Sequence, residues 1–154
     1  MDLLARTYGL AIFFAACLLV TGPASAAGSD DMDDKIKQAV SSIKDKDYKD
    51  AIERLKEVLD DSADNADALN YLGYSYRKLG DYEQAVDYYQ QALGVDENHK
   101  GANEYLGEAY LELKQPDKAK KHLDRLAKIC GPSCEEYRDL KAAYDSYQAA
   151  GKQS

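Results

Sequence analysis

The sequence predicts an all-α array of stacked helix hairpins, and three observations carry that prediction. The first is an internal repeat. Leu72-Gly73-x-x-Tyr76 returns 34 residues later as Leu106-Gly107-x-x-Tyr110, and Tyr71, Leu79 and Ala85 find Tyr105, Leu113 and Ala119 at the same offset. A period of that length marks a supersecondary unit that buries its apolar face only by stacking on a neighbour. The second is spacing: Leu69, Leu72, Gly73 and Tyr76 fall at i, i+3, i+4 and i+7, which places them on one helical face. The third is the scarcity of proline after Lys35, together with the lack of any useful alternating β pattern.

The chain opens with a segment that reads as a targeting signal. Arg6 is its only positive side chain, an apolar run spans Leu10 to Val20, and Thr21 to Ala27 is a helix-breaking, small-residue stretch. Ala24-x-Ala26 fits a cleavage site, so residues 1–26 are predicted to be a signal peptide cut after Ala26. The alternative is a membrane anchor, but the apolar run is about 11 residues where a spanning helix needs roughly 20. The expected mature chain is therefore exported, most simply to a periplasm, with no membrane span. Residues 27–34 are small and acidic and are expected to be a disordered lead-in.

The formal net charge of -8 argues against nucleic acid or an anionic membrane as partner, since both require basic patches. Cys17 falls within the signal, which leaves Cys130 and Cys134 as an even pair in an exported chain, a disulfide candidate.

Three units and a cap follow in order, at about 32–65, 66–99, 100–133 and 135–150, with 151–154 as a tail. In the first unit, Asp47-Tyr48-x-x-Ala51-Ile52-x-x-Leu55-x-x-Val58-Leu59 gives a regular second helix. Its first helix carries Ala39 at the place of Gly73, but Ile36, Val40 and Ile43 sit one residue off the pattern. Either that helix is rotated or its turn is one residue shorter. In the middle unit, Gly80 suits a left-handed helix end, Asp81 suits an N-cap, and Tyr82, Ala85, Val86, Tyr89, Ala92 and Leu93 form the second helix's apolar face. The third unit starts its second helix at Pro116, where the missing N–H is harmless, and stops at Gly131-Pro132. Tyr137, Leu140, Tyr144 and Tyr147 then give a single apolar stripe, as a terminal capping helix requires.

Leu72-Gly73-x-x-Tyr76, Gly80-Asp81-Tyr82-x-x-Ala85 and Tyr89-x-x-Ala92 together resemble a tetratricopeptide repeat. The resemblance covers residues 35–150. It implies a right-handed solenoid of three hairpins plus a C-terminal capping helix, whose first helices line a concave peptide-binding groove. That groove would present Asp67, Asn70, Tyr74 and Arg77 from the middle unit and Glu104, Glu108 and Leu111 from the third. Tyr and Arg are frequent interface anchors. Glu104, Glu108 and Glu112 repeat at i, i+4 and i+8, a like-charge ladder that favours a basic partner. The same residues also fit a plain solvated face. Relatives that clamp the carboxylate tails of chaperones use Lys, Asn and Arg here, and acids at 104 and 108 oppose that mode.

The expected function is a non-enzymatic scaffold binding a protein segment in this groove. Two alternatives remain open: self-association through Ile36, Val40 and Ile43, and thiol chemistry at Cys130 and Cys134. Redox motifs of that kind place two residues between the cysteines rather than the three found here. Two thiols fall short of a metal's ligand set, and neither His99 nor His122 has ligand-like spacing to them. Both histidines read as surface residues. No catalytic residue, metal or cofactor is expected. Tyr74 and Tyr88 lie off the packing stripes and are the tyrosines expected to make outside contacts.

Overall fold

The computed structural model describes residues 27–151, and the predicted signal peptide lies outside them. Among the described residues seven helices follow one another: α1 (Ala27–Lys44), α2 (Tyr48–Asp61), α3 (Ala66–Lys78), α4 (Tyr82–Val95), α5 (Lys100–Glu112), α6 (Pro116–Ile129) and α7 (Glu135–Gly151). They form three hairpins, α1–α2, α3–α4 and α5–α6, with α7 closing the stack against α5 and α6. No described helix is long and apolar enough to cross a membrane.

The repeat is exact in backbone terms. Lys46, Gly80 and Lys114 occupy the turn of each hairpin in the left-handed region, at φ 62, 84 and 57°. The amide three positions past each helix end closes back on the equivalent carbonyl: Asp47 on Ser42, Asp81 on Tyr76 and Gln115 on Tyr110, at 2.9, 3.0 and 2.7 Å. These are Schellman ends, which satisfy carbonyls that a helix terminus otherwise leaves open. Asp47 and Asp81 then cap α2 and α4 by accepting from Asp50 N and Gln84 N, both at 3.1 Å. Each such cap contributes about 1 kcal/mol. Gln115 makes no such bond, and Pro116 at the first helical position sets the helix start instead.

The shared turn settles the first unit. Its turn is not shortened, so the one-residue offset of Ile36, Val40 and Ile43 is a rotation of the apolar stripe on α1. Ala39 is fully buried at the close-approach position, and the other three are half-buried. Among the described residues, α1 packs on α2 and α3.

The acidic stretch 27–34 is helical, not a disordered lead-in. Met32 packs against the first core cluster, and the Asn65 amide lies 3.5 Å from its sulfur. Lys35 holds Asp31 at 3.3 Å and Asp61 of α2 at 2.7 Å. Acids near a helix N-terminus also complement its dipole. One apolar anchor and this ion-pair bridge order a segment whose composition alone suggests none.

Among the described residues the core forms three clusters of buried residues joined through partly buried side chains such as Tyr76, Tyr88 and Leu93. Tyr89 is fully buried across Gly73, where an added Cβ would come within 2.6 Å of its ring. Leu123 and Leu126, which replace Tyr89 and Ala92 in the third unit, pack with Leu140 of α7. Tyr88 is part of this packing rather than an outside contact. Its ring stacks on Tyr76 at 5.4 Å and 9°.

Candidate partner-binding groove

The first helices α1, α3, α5 and α7 line one side of the stack, and α3 with α5 supplies its centre. Tyr74 stands there half-buried. Its ring meets Tyr105 of α5 at 5.2 Å between centroids and Tyr48 of α2 at 6.5 Å. The Arg77 guanidinium lies 5.6 Å from the Tyr74 ring and 5.4 Å from the Tyr105 ring, and Lys78 Nζ approaches Tyr74 to 5.1 Å. Arg77 Nη1 donates to Glu108 Oε2 at 2.8 Å, which ties α3 to α5. A cation held between two aromatic faces and one carboxylate has little rotamer freedom left, so the cluster is preorganised.

The seven predicted groove residues do gather on this side, in states the linear pattern does not reveal. Tyr74, Arg77 and Glu108 form the central cluster. Leu111 joins the hydrophobic core at 7% exposure. It also borders a 280 Å³ cavity between Arg77, Glu108 and Tyr147 of α7. Asn70 and Glu104 are buried at 4% and 7% exposure, not displayed on a solvated face. Asp67 is exposed and receives His99 Nε2 at 3.0 Å. The predicted like-charge ladder on α5 is therefore split three ways: Glu108 is paired, Glu104 is buried, and only Glu112 is freely exposed.

Glu104 is the most perturbed acid of the site. Burial, followed by Glu108, Asp139 and Glu136, pushes its carboxyl up to about 8 against the opposing pull of Arg77. Desolvation dominates because a buried carboxylate loses water that no partner replaces. Burial also raises the Tyr89 and Tyr105 phenols. The Tyr89 hydroxyl sits beside Arg77, and neither it nor Arg77 Nε makes a geometrically complete hydrogen bond.

Both histidines are structural rather than loose surface groups. His99 Nδ1 accepts from Ala102 N at 3.1 Å and so caps α5. The ring proton must then lie on Nε2, facing Asp67. The Asn103 amide donates to the Glu97 and His99 carbonyls, which leaves its oxygen to accept from His122 Nδ1 at 3.0 Å. Burial, with Arg125 and Lys121 close by, lowers His122 to about 4 and keeps it neutral. A depression of 810 Å³ lies beside His122, away from the groove. Its Arg125 is already held by Glu97 at 2.9 Å.

The sequence missed Tyr48, Tyr105 and the α7 residues Glu136, Asp139 and Tyr147. In sequence Tyr105 is the repeat counterpart of Tyr71 and Tyr147 falls on the α7 apolar stripe, while Glu136 and Asp139 lie off that stripe, where the linear pattern does not show which helix they face.

Cys130 and Cys134 lie at the α6–α7 junction with Cα atoms 5.8 Å apart, a separation that a disulfide spans. With Glu136 they are the only group among the described residues whose donor atoms cluster closely enough to suggest a metal. Three donors of this mixed kind fall short of a closed structural site.

Two family profiles, each described as Tetratricopeptide repeat, match residues 37–94 and 76–144. No curated protein sequence matches the chain. Among solved structures, the type III secretion translocator chaperone SycD of Yersinia enterocolitica is similar at TM-score 0.69 and 17% identity, covering 84% of this chain and 97% of that one. PcrH, solved with the chaperone binding region of PopD, is similar at TM-score 0.71 and 17% identity, covering 82% and 97%. The first repeat domain of Spaghetti (RPAP3), solved with the HSP90 peptide SRMEEVD, is similar at TM-score 0.71 and 18% identity, covering 79% and 94%. At these identities the likeness carries the fold alone.

Proposed function

We propose that this chain, which belongs to the tetratricopeptide repeat family, is a non-enzymatic scaffold holding an extended or helical segment of another protein across its groove. The observation that carries the proposal is the preorganised cluster of Tyr74, Tyr105 and Arg77, locked to Glu108 before any partner arrives. Rigid aromatic and Arg anchors lower the ordering cost of binding. PcrH and the RPAP3 domain were solved with protein segments, which supports the same use of the same architecture here. The groove chemistry differs from what an acidic peptide such as SRMEEVD needs. Exposed Glu112 on α5 and Asp139 on α7, in a chain of net charge -8, favour a segment of basic character.

Export is part of the proposal. The apolar run Leu10–Val20, the Ala24-x-Ala26 site and the paired Cys130 and Cys134 all suit an oxidising compartment such as a periplasm. There the two cysteines would bond and fasten α7 to α6.

The test is photocrosslinking in the producing cell from a photoreactive residue at Tyr74, with mass spectrometry of the adducts and the same replacement at exposed Gln91 on α4 as control. One dominant heterologous segment, captured in the exported fraction, is expected. Adducts only between copies of the chain, or none above the Gln91 control, would overturn the scaffold reading.

A further inference from the structure

Charge is unevenly spread along the groove, and one cavity of 320 Å³ between α3, α5 and α7 concentrates it. Glu104 from α5 and Glu136 and Asp139 from α7 reach it, and Asn70 and Gly101 form part of its wall. Two of these groups are buried without a mate. Asn70 is 4% exposed, and its Oδ1 has no hydrogen-bond partner among the described residues. Glu104 is 7% exposed and makes no ion pair or hydrogen bond among them either. A fully buried acceptor without a hydrogen bond, as Asn70 Oδ1 is, is unusual in a packed wall, and Glu104 lines the same cavity. Both side chains line the cavity, and Gly101 leaves room beside Asn70 that a Cβ, 3.3 Å from its Nδ2, would take up.

The acceptors specify their ligand by elimination. An anion is disfavoured by an acidic lining in which Glu136 is held by Lys100 at 3.2 Å and Asp139 is exposed, and an apolar group would leave both acceptors unpaired. A bare metal ion is a poor fit, because no three carboxylate or imidazole donors of this cavity lie within 4.8 Å of one another. A donor-rich cation on a flexible stem can reach separated acceptors, and the half-buried Tyr105 ring offers an aromatic wall for the stem and charge.

We infer that this pocket receives a cationic side chain, a lysine ammonium or arginine guanidinium, from the segment held in the groove, with Asn70 Oδ1 and the Glu104 carboxylate as acceptors. The inference rests on the scaffold reading above and adds a residue class to it. The raised proton affinity of Glu104 fits such a role, since a seated cation relieves the buried charge that burial and its acidic neighbours oppose.

The probe is Nα-acetyl-lysine methylamide, titrated into the ¹⁵N-labelled chain purified after export, with the arginine and norleucine analogues alongside. Saturable shifts of the Asn70 side-chain amide and the Gly101 amide are expected with lysine and arginine and not with norleucine. Glu104→Gln, nearly isosteric, is expected to weaken binding about tenfold, the loss of one charge-assisted hydrogen bond. Asp139→Asn, at an exposed position, weakens it less, and Glu112→Gln, outside the pocket, leaves it unchanged. An equal response to norleucine, or a Glu104→Gln titration superimposing on the wild type, overturns the proposal. Tighter binding of spermine or Mg²⁺ to the same resonances at matched ionic strength assigns the site to a free cation and also overturns it. Tyr74 capture of a segment without a lysine response overturns the pocket alone. A lysine response without Tyr74 capture overturns the segment as the source of the cation.

Discussion

Gly107 of α5 lies directly beneath Leu140 of α7, so close that a Cβ at Gly107 would fall 2.5 Å from Leu140 Cδ2. Its repeat counterpart Gly73 faces Tyr89, the partner helix of its own hairpin. The same sequence position thus seats a hairpin partner in one unit and the cap helix in the next.

Gly107→Ala is expected to lower stability by about 1–3 kcal/mol, because the methyl overpacks a filled contact and pushes α7 outward. Gly94, in the last turn of α4, has nothing within 4 Å of a built Cβ. Gly94→Ala should be neutral or slightly stabilising, by at most about 0.5–1 kcal/mol, from the reduced freedom of the unfolded chain. Urea unfolding of both variants measures the contrast, and equal losses would show that Gly107 is not a packing position.

Arg77→Met should destabilise the chain by about 2–3 kcal/mol, somewhat less than breaking a fully buried pair because both side chains keep some solvent contact. Most of that loss is Glu108 left without its cation beside Glu104. Arg77→Met combined with Glu108→Gln is therefore expected to recover part of it. A double-mutant cycle gives the coupling, and strictly additive losses would remove the pair from the account of the groove.

Stability should fall as pH rises from about 4.5 to 8 through the contribution of Glu104. Its carboxyl is held up to about 8 in the folded chain. The unfolded value is near 4.3, so the folded state binds this proton more tightly. The contribution is complete below the unfolded value and is lost as pH climbs through the folded one. Urea midpoints of the wild type and Glu104→Gln across this range should diverge, the wild type losing ground at higher pH. Parallel curves would contradict the buried, unpaired state of Glu104.

Oxidised chain from the exported fraction should be two thiol hydrogens lighter than reduced chain. Replacing both Cys130 and Cys134 by Ser should cost no more than about 2 kcal/mol, because the loop between them is very short. Hydrogen exchange should localise the change to the start of α7. A uniform change across all hairpins would mean that the pair does more than fasten the cap.

Sequence alone determined the architecture, because each hairpin is encoded locally. Small residues at 39, 73 and 107, caps at Asp47 and Asp81, and a stop at Gly131-Pro132 act within one unit and repeat with it. Lys46 and Lys114 hide the left-handed turn that Gly80 advertises, yet the period places them correctly. That the seven candidate positions share one face of α3 and α5 was legible too. Their states were not. The burial of Glu104 and Asn70, the seating of Arg77 between Tyr74 and Tyr105, and the acids that α7 adds to the groove depend on which helix packs over which face. So does the order of residues 27–34, which Met32 and Lys35 fasten to α2 and to the loop before α3. Periodicity fixes which residues share a face. Only the stacking of one unit on the next decides how much water each of them keeps, and that sets its charge and its availability to a partner.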